Sequence, residues 1–282
     1  MKKYLIVIFV FATFLFSCES EPFVEEEEEL VERIFDGSIR LQTQEDVNIF
    51  GAEEYTTIIG SLRIGVPFGY VDEEPITDLS PLSSLRRIGF SDSILSEFRM
   101  DNNQLLTSLY GLHNLESIYN FLFYGNHLIE DFTELESLIE IGDGLAVSRT
   151  FVIADNQSLL SLQGLEALRR TGRFVIASNP LLQNLDGINN LTEVGSVEIG
   201  DNPSLENLDA LSNLIRVQSS LKTHVTCGGP YWMGWCSNAN LYNLCGLQNL
   251  FVSGAYNPEK VDLTKGPFTP TIDDIIEGDC SL

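Results

Sequence analysis

A mainly β, repetitive stack is the fold class this sequence predicts, and three observations predict it. Leucines stand in triplets spaced by three, the triplets recur every 23 or 30 residues, and each is followed by a short apolar stretch and an asparagine turn. Residues 184–206, NLDGINNLTEVGSVEIGDNPSLE, align beneath residues 161–183, SLQGLEALRRTGRFVIASNPLLQ. Leu162, Leu165, Leu168, Phe174, Ile176, Asn179 and Leu182 fall on Leu185, Ile188, Leu191, Val197, Ile199, Asn202 and Leu205. A period of this size marks a solenoid, in which each unit buries its apolar side only against its neighbours.

Triplets begin at 79, 109, 132, 162, 185 and 208, so the steps are 30, 23, 30, 23 and 23 residues. The two longer units carry about seven extra residues, in GFSDSIL and GDGLAVS. Within a unit, stretches such as SVEIG or RFVIA alternate and predict a strand with two inward side chains. Leucines spaced by three suit a short helix, a 3₁₀ turn or an irregular corner. The turns Asp101-Asn102-Asn103, Asp155-Asn156 and Asp201-Asn202 lack the dense carboxylate spacing of calcium loops. They predict an asparagine ladder, one amide per unit bonding the backbone of the next. Ser38 to Leu41 and Gly60 to Ile64 predict two entry strands with a helical turn between them. About eight coils at roughly 4.8 Å each give a body about 40 Å long.

Four regions follow from the pattern. Residues 1–17 predict a lipoprotein signal peptide: Lys2 and Lys3 precede an apolar run from Tyr4 to Phe16 that is too short to span a bilayer. It ends in Leu15-Phe16-Ser17-Cys18, which resembles the bacterial lipobox and implies acylation of Cys18. Residues 18–36, with Glu25 to Glu29, predict an acidic disordered tether. Residues 37–226 hold the repeats, and residues 227–282 a final coil and a Cys/Trp-rich cap. Loss of Lys2 and Lys3 takes the 16 basic residues to 14 against 41 acidic ones, a formal charge of −27. Such a polyanion excludes nucleic acid as a partner.

The order x-L-x-G-L-x-x-L-x-x-[IV]-x-x-[FV]-x-I-x-x-N-P-x-L resembles the receptor L-domain family, lipoproteins of Bacteroidetes among its members. The opening GSIRLQTQEDVNIFG and the closing LCGLQNL share the likeness, which covers residues 37 to 252. It implies a right-handed, leucine-rich-repeat-like β-solenoid with helical or 3₁₀ corners and a disulfide-stapled C-terminal cap. Acidic residues directly after Cys18 are similar to a Bacteroidetes surface-export signal, which implies a lipid-anchored outer-membrane protein facing the cell exterior; read as a solvated spacer alone, the run leaves a periplasm-facing placement open. Asp92-Ser93-Ile94 matches an O-glycosylation acceptor of those envelopes, with Ser93 as the site.

Enzyme chemistry finds little support. The chain has three histidines, no HExxH, no G-x-S-x-G and no glycine-rich phosphate loop. No cofactor or metal site is expected. Strand alternation places Arg63, Arg99, Leu122, Val152, Val175, Glu198 and Lys222 in one outward row, with Tyr124 beside Leu122. The apolar members predict an exposed stripe, and with it a non-enzymatic recognition or adhesion role toward an extracellular or envelope protein or glycan. The segment CGGPYWMGWC, Cys227 to Cys236, offers an alternative: Tyr231, Trp232 and Trp235 as a stacking platform for glycan capture beside an uptake system. The competing reading is a plug over the last coil. Four cysteines beyond Cys18 favour two disulfides, Cys227–Cys236 and Cys245–Cys280, among three connectivities.

Overall fold

A computed structural model describes residues 5–6, 31–67, 74–89, 96–142, 144–146, 148–227, 234–264 and 266–282, with the backbone alone for 5–6, 225–227 and 234–237. The first strands are β1 (Leu5–Ile6), β2 (Glu32–Phe35), β3 (Ile39–Leu41), β4 (Thr57–Ile58), β5 (Leu62–Gly65) and β6 (Arg87–Ile88). The middle ones are β7 (Phe98–Asp101), β8 (Ser117–Ile118), β9 (Phe121–Tyr124), β10 (Glu140–Ile141), β11 (Thr150–Ala154) and β12 (Arg170–Ala177). Then come β13 (Glu193–Gly200), β14 (Arg216–Val217), β15 (Leu221–Lys222), β16 (His224–Cys227), β17 (Gly234–Ser237) and β18 (Val261–Asp262). The helices are α1 (Gln44–Gly51), α2 (Gln248–Ser253) and α3 (Ile272–Glu277).

Sixteen strands form one open sheet, in the order β1-β2-β4-β6-β8-β10-β12-β11-β9-β7-β5-β3, with β13 on β12 and β14, β15 and β18 beyond it. Every pair in it is parallel except β1 with β2. This order corrects the expected right-handed, leucine-rich-repeat-like β-solenoid of receptor L-domain type, with one strand per repeat following in chain order. Along most of the path strands adjacent in space are two apart in sequence, and the path turns back at β12. The physical reason is that a repeat forms two extended stretches, not one. Parallel pairing needs a crossover, so the chain passes through the other half of the sheet before returning to pair. In β12 and β13 the two stretches fuse: Thr171 pairs with Ile141 of one half, and Arg173–Ala177 with Thr150–Ala154 of the other.

The repeat phase itself is visible in the packing. Leu162, Leu165 and Leu168 are fully buried, as are Leu109, Leu112 and Leu115, and each such side chain contributes roughly 1.5–3 kcal/mol. The triplets turn as 3₁₀ at Ser80–Leu82, Thr133–Leu135, Asp209–Leu211 and Cys245–Leu247. The glycine before the second leucine lies on the previous repeat: a Cβ on Gly187, at φ +115°, would stand 1.8 Å from the Leu162 carbonyl oxygen. Phe98, Phe121, Phe151 and Phe174 stack inside with centroids 5.2–5.5 Å apart. Asn103, Asn126, Asn156, Asn179, Asn202 and Asn238 are all completely buried in one hydrogen-bonded line.

Inserted residues are laid over their neighbours. A Cβ on Gly172 would meet the Ala146 carbonyl oxygen at 2.2 Å, and one on Gly195 the Leu145 carbonyl oxygen at 2.3 Å. Extra residues of the repeat beginning at 132 thus press on the next two repeats, where only glycine leaves room.

At the C-terminus, Cys245 and Cys280 form a disulfide. Thr271 and Asp274 close a capping box on α3, Ile275 is fully buried, and the Cys280 carbonyl accepts from Leu244 N–H at 2.8 Å. Among the described residues no helix is long and apolar enough to cross a membrane.

Candidate functional site

Strand register builds one outward row. Arg40 stands beside Arg63, Arg63 beside Arg99, and Arg99 beside Leu122. Leu122 is followed by Val152, Val175, Glu198, Lys222 and Asp262. Tyr124 lies beside Asp101 in the adjacent row. The predicted row residues are therefore together in space.

Their exposure differs from the predicted apolar stripe. Val152 and Val175 are only 6% and 7% exposed, and neither belongs to the continuous interior core. Both are buried although they alternate with core residues, so these two valines form no open apolar stripe. Side-chain alternation sets the direction in which a residue points; it does not set what packs above it.

Before Val152 the row is basic up to Leu122, and beyond Val175 it continues with the half-buried Glu198, Lys222 and Asp262. Arg40 and Arg63 are exposed, and Arg99, Leu122 and Tyr124 are half-buried. Glu97 and Asp101, two residues either side of Arg99, share its face and flank the row. Arg63 Nη2 lies 2.8 Å from Glu97 Oε1, yet that buried oxygen accepts no aligned hydrogen bond among the described residues. The contact is an ion pair by distance. Arg99 Nε donates to Asp101 Oδ2, and its guanidinium carbon sits 5.1 Å from the Tyr124 ring centroid. Arg40 has no ion-pair partner among the described residues.

Local electrostatics follow. Burial works against the Arg99 charge, but the hydrogen bond and charge of Asp101, with Glu97 and Tyr124 behind them, hold its pKa above the ordinary value. Burial raises the Tyr124 phenol, Arg99 opposes that shift, and Asp101 adds to it. Both side chains keep their protons across the physiological range. At the far end, Arg173 Nη2 pairs with Glu198 Oε2 at 3.0 Å, and His224 Nε2 lies 3.6 Å from Asp262 Oδ2.

Sequence reasoning passed over Arg40, Glu97 and Asp101. The signal for Arg40 was present, because Ile39-Arg40-Leu41 alternates like every other entry strand. The two carboxylates needed the same alternation read two residues outward.

Other predicted sites fall elsewhere. Cys18, Ser93, Tyr231 and Trp232 lie outside the described residues. Trp235 is on β17, its backbone opposite Thr226. Cys227 is opposite Gly234 and Cys236 opposite Val225, and their sulfurs lie outside the described atoms. No group of three or more His, Cys, Asp or Glu residues is placed to hold a metal ion among the described residues.

Comparison with protein-family models, curated proteins and solved structures finds no match to this chain. The receptor L-domain resemblance thus has neither a matching family nor the expected strand order behind it. The recognition or adhesion role assigned to a solenoid surface falls with that architecture and with the buried valines. Glycan capture through Tyr231, Trp232 and Trp235 was built on the same scaffold and falls with it.

Proposed function

We propose that this chain is a non-enzymatic exported protein, held at the outer membrane by acyl groups on Cys18, that binds an anionic ligand at the Arg40–Arg63–Arg99 row. One observation carries the reading: three arginines stand directly side by side on adjacent strands. Like charges directly opposed across strands destabilise a sheet. The opposition is the more notable in a chain with 16 basic against 41 acidic residues. The Arg63–Glu97 and Arg99–Asp101 ion pairs offset part of this repulsion, and an anion bridging the remaining guanidinium donors would add charge-assisted hydrogen bonds. The overall negative field repels polyanions at long range, so binding is local and falls steeply with salt. Outward display at the cell surface fits the acidic run Glu25 to Glu29 behind Cys18; maturation at Cys18 would remove β1, and the strand Glu32–Phe35 ends the expected tether short of residue 36.

Isothermal titration of the chain from residue 31 onward against polyglutamate, polygalacturonate and dextran sulfate at low salt tests the reading. At least one binds, and the Arg40→Gln/Arg63→Gln/Arg99→Gln variant loses about tenfold or more in affinity. Equal binding by a variant with an unchanged far-UV circular dichroism spectrum would sink it.

A further inference from the structure

The geometry points to a linear polyuronate, an acidic polysaccharide with one carboxylate per sugar, lying along the arginine row. This inference rests on the anion reading above and names its ligand class. The charge pattern is narrow. Three cations lie on one line at the strand spacing of about 4.8 Å; Glu97 and Asp101 flank that line and pair with Arg63 and Arg99, while Arg40 has no ion-pair partner among the described residues. A compact, densely charged anion such as a polyphosphate or a heavily sulfated chain would place charge against both carboxylates. A polymer with single charges spaced like the strands meets the cations one by one. A hexose residue is close to that length, and flexible arginine side chains reach carboxylates on either edge of a saccharide ribbon.

Two further features favour a saccharide over an acidic peptide. The ligand crosses the face of the sheet, where no backbone N–H or C=O points outward, so a peptide strand would find no main-chain partners. Next in the row stands Leu122, half-buried, which gives the apolar C–H face of a pyranose a floor. The row then closes at Val152, which is 6% exposed. Four strands are therefore available, a span of about 14 Å, enough for three or four sugars.

The test is calorimetric titration with oligogalacturonates of one to six residues, the carboxyl-reduced polymer, and polyglutamate of matched charge. Affinity should rise at least about tenfold from one sugar to three or four and then level off. Carboxyl reduction should abolish binding. Arg40→Gln, on the edge strand and without an ion-pair partner among the described residues, should weaken it about fivefold; Arg216→Gln, an exposed arginine on the other half of the sheet, should not change it. If polyglutamate or dextran sulfate binds through the row and the uronates do not, the polyuronate is wrong while the anion reading stands. If no polyanion binds, both fall. Length-independent affinity, or an equal effect of Arg216→Gln, overturns the placement along the row.

Discussion

Replacing Asn179 with alanine tests the buried amide line, and its cost can be worked from the contacts. Asn179 Oδ1 accepts from the backbone N–H of Asn156 at 3.1 Å and from Asn156 Nδ2 at 3.0 Å. Its Nδ2 faces the carbonyl oxygens of Ile153 and Ala177 and Oδ1 of Asn202 at 3.0–3.2 Å. Several acceptors keep other partners: Ala177 O still receives Asp155 N–H, and Asn202 Oδ1 still receives the residue-179 N–H. Asn156 Nδ2 likewise retains Ala154 O at 3.0 Å. The Asn156 backbone N–H keeps nothing, and Asn156 is completely buried. Stranding one buried donor costs about 1–3 kcal/mol, and the net loss of the other bonds adds about 1 kcal/mol. The variant should therefore lose about 3 kcal/mol in urea unfolding at pH 7. Hydrogen exchange at the Asn156 amide should accelerate more than at the flanking amides. Asn213→Ala is the control, since Asn213 is exposed and donates only to Asn189 O at 2.7 Å; it should cost under about 1 kcal/mol. A loss at Asn179 no greater than at Asn213 would refute the argument that the ladder is held by buried amides.

Four other outcomes follow from the same packing. Removing the Cys245–Cys280 bridge by a double serine substitution, which opens a loop of 35-residue separation, should cost about 4 kcal/mol by the loop-entropy model; unchanged thermal stability would show the cap holds without it. Gly187→Ala should destabilise by about 3 kcal/mol or more, because φ is +115° and the new methyl meets backbone rather than a movable side chain. Gly278→Ala, also at positive φ but with nothing within 4 Å, should cost only about 1 kcal/mol in the same thermal melts. Tyr124 should ionise later than an ordinary tyrosine in a spectrophotometric titration, and Tyr124→Phe should remove the last part of the absorbance rise. Its raised pKa means folded stability is retained below the ordinary value of 10.0 and lost as pH climbs through the folded value; an earlier ionisation would contradict the burial that raises it.

Much of the site was legible because strand alternation is strict. Once Phe174 and Ile176 were taken as inward, Val175 had to point outward, and parallel register carried that phase from Arg63 to Lys222. Arg40 was reachable by the same rule. The burial of Val152 and Val175 was not, since local periodicity sets the direction of a side chain and says nothing of its exposure. Nor was the pairing of Arg99 with Asp101 and Tyr124, which depends on rotamers chosen among several charged neighbours.

The sequence by itself determined the repeat, its phase, the buried leucines and asparagines, and the outward row, because each depends on spacing along the chain and on which side chains avoid water. It also pointed to the Cys245–Cys280 bond through the even count of cysteines beyond Cys18. Strand order was decided only in three dimensions. Whether an apolar stretch stays one strand or breaks into two around a corner depends on what the neighbouring repeat presents for pairing. In β12 and β13 the chain runs straight through that corner, at Gly172 and Gly195, under carbonyls supplied by residues 145 and 146. Contacts of that kind join segments far apart in the chain, so no local pattern encodes them.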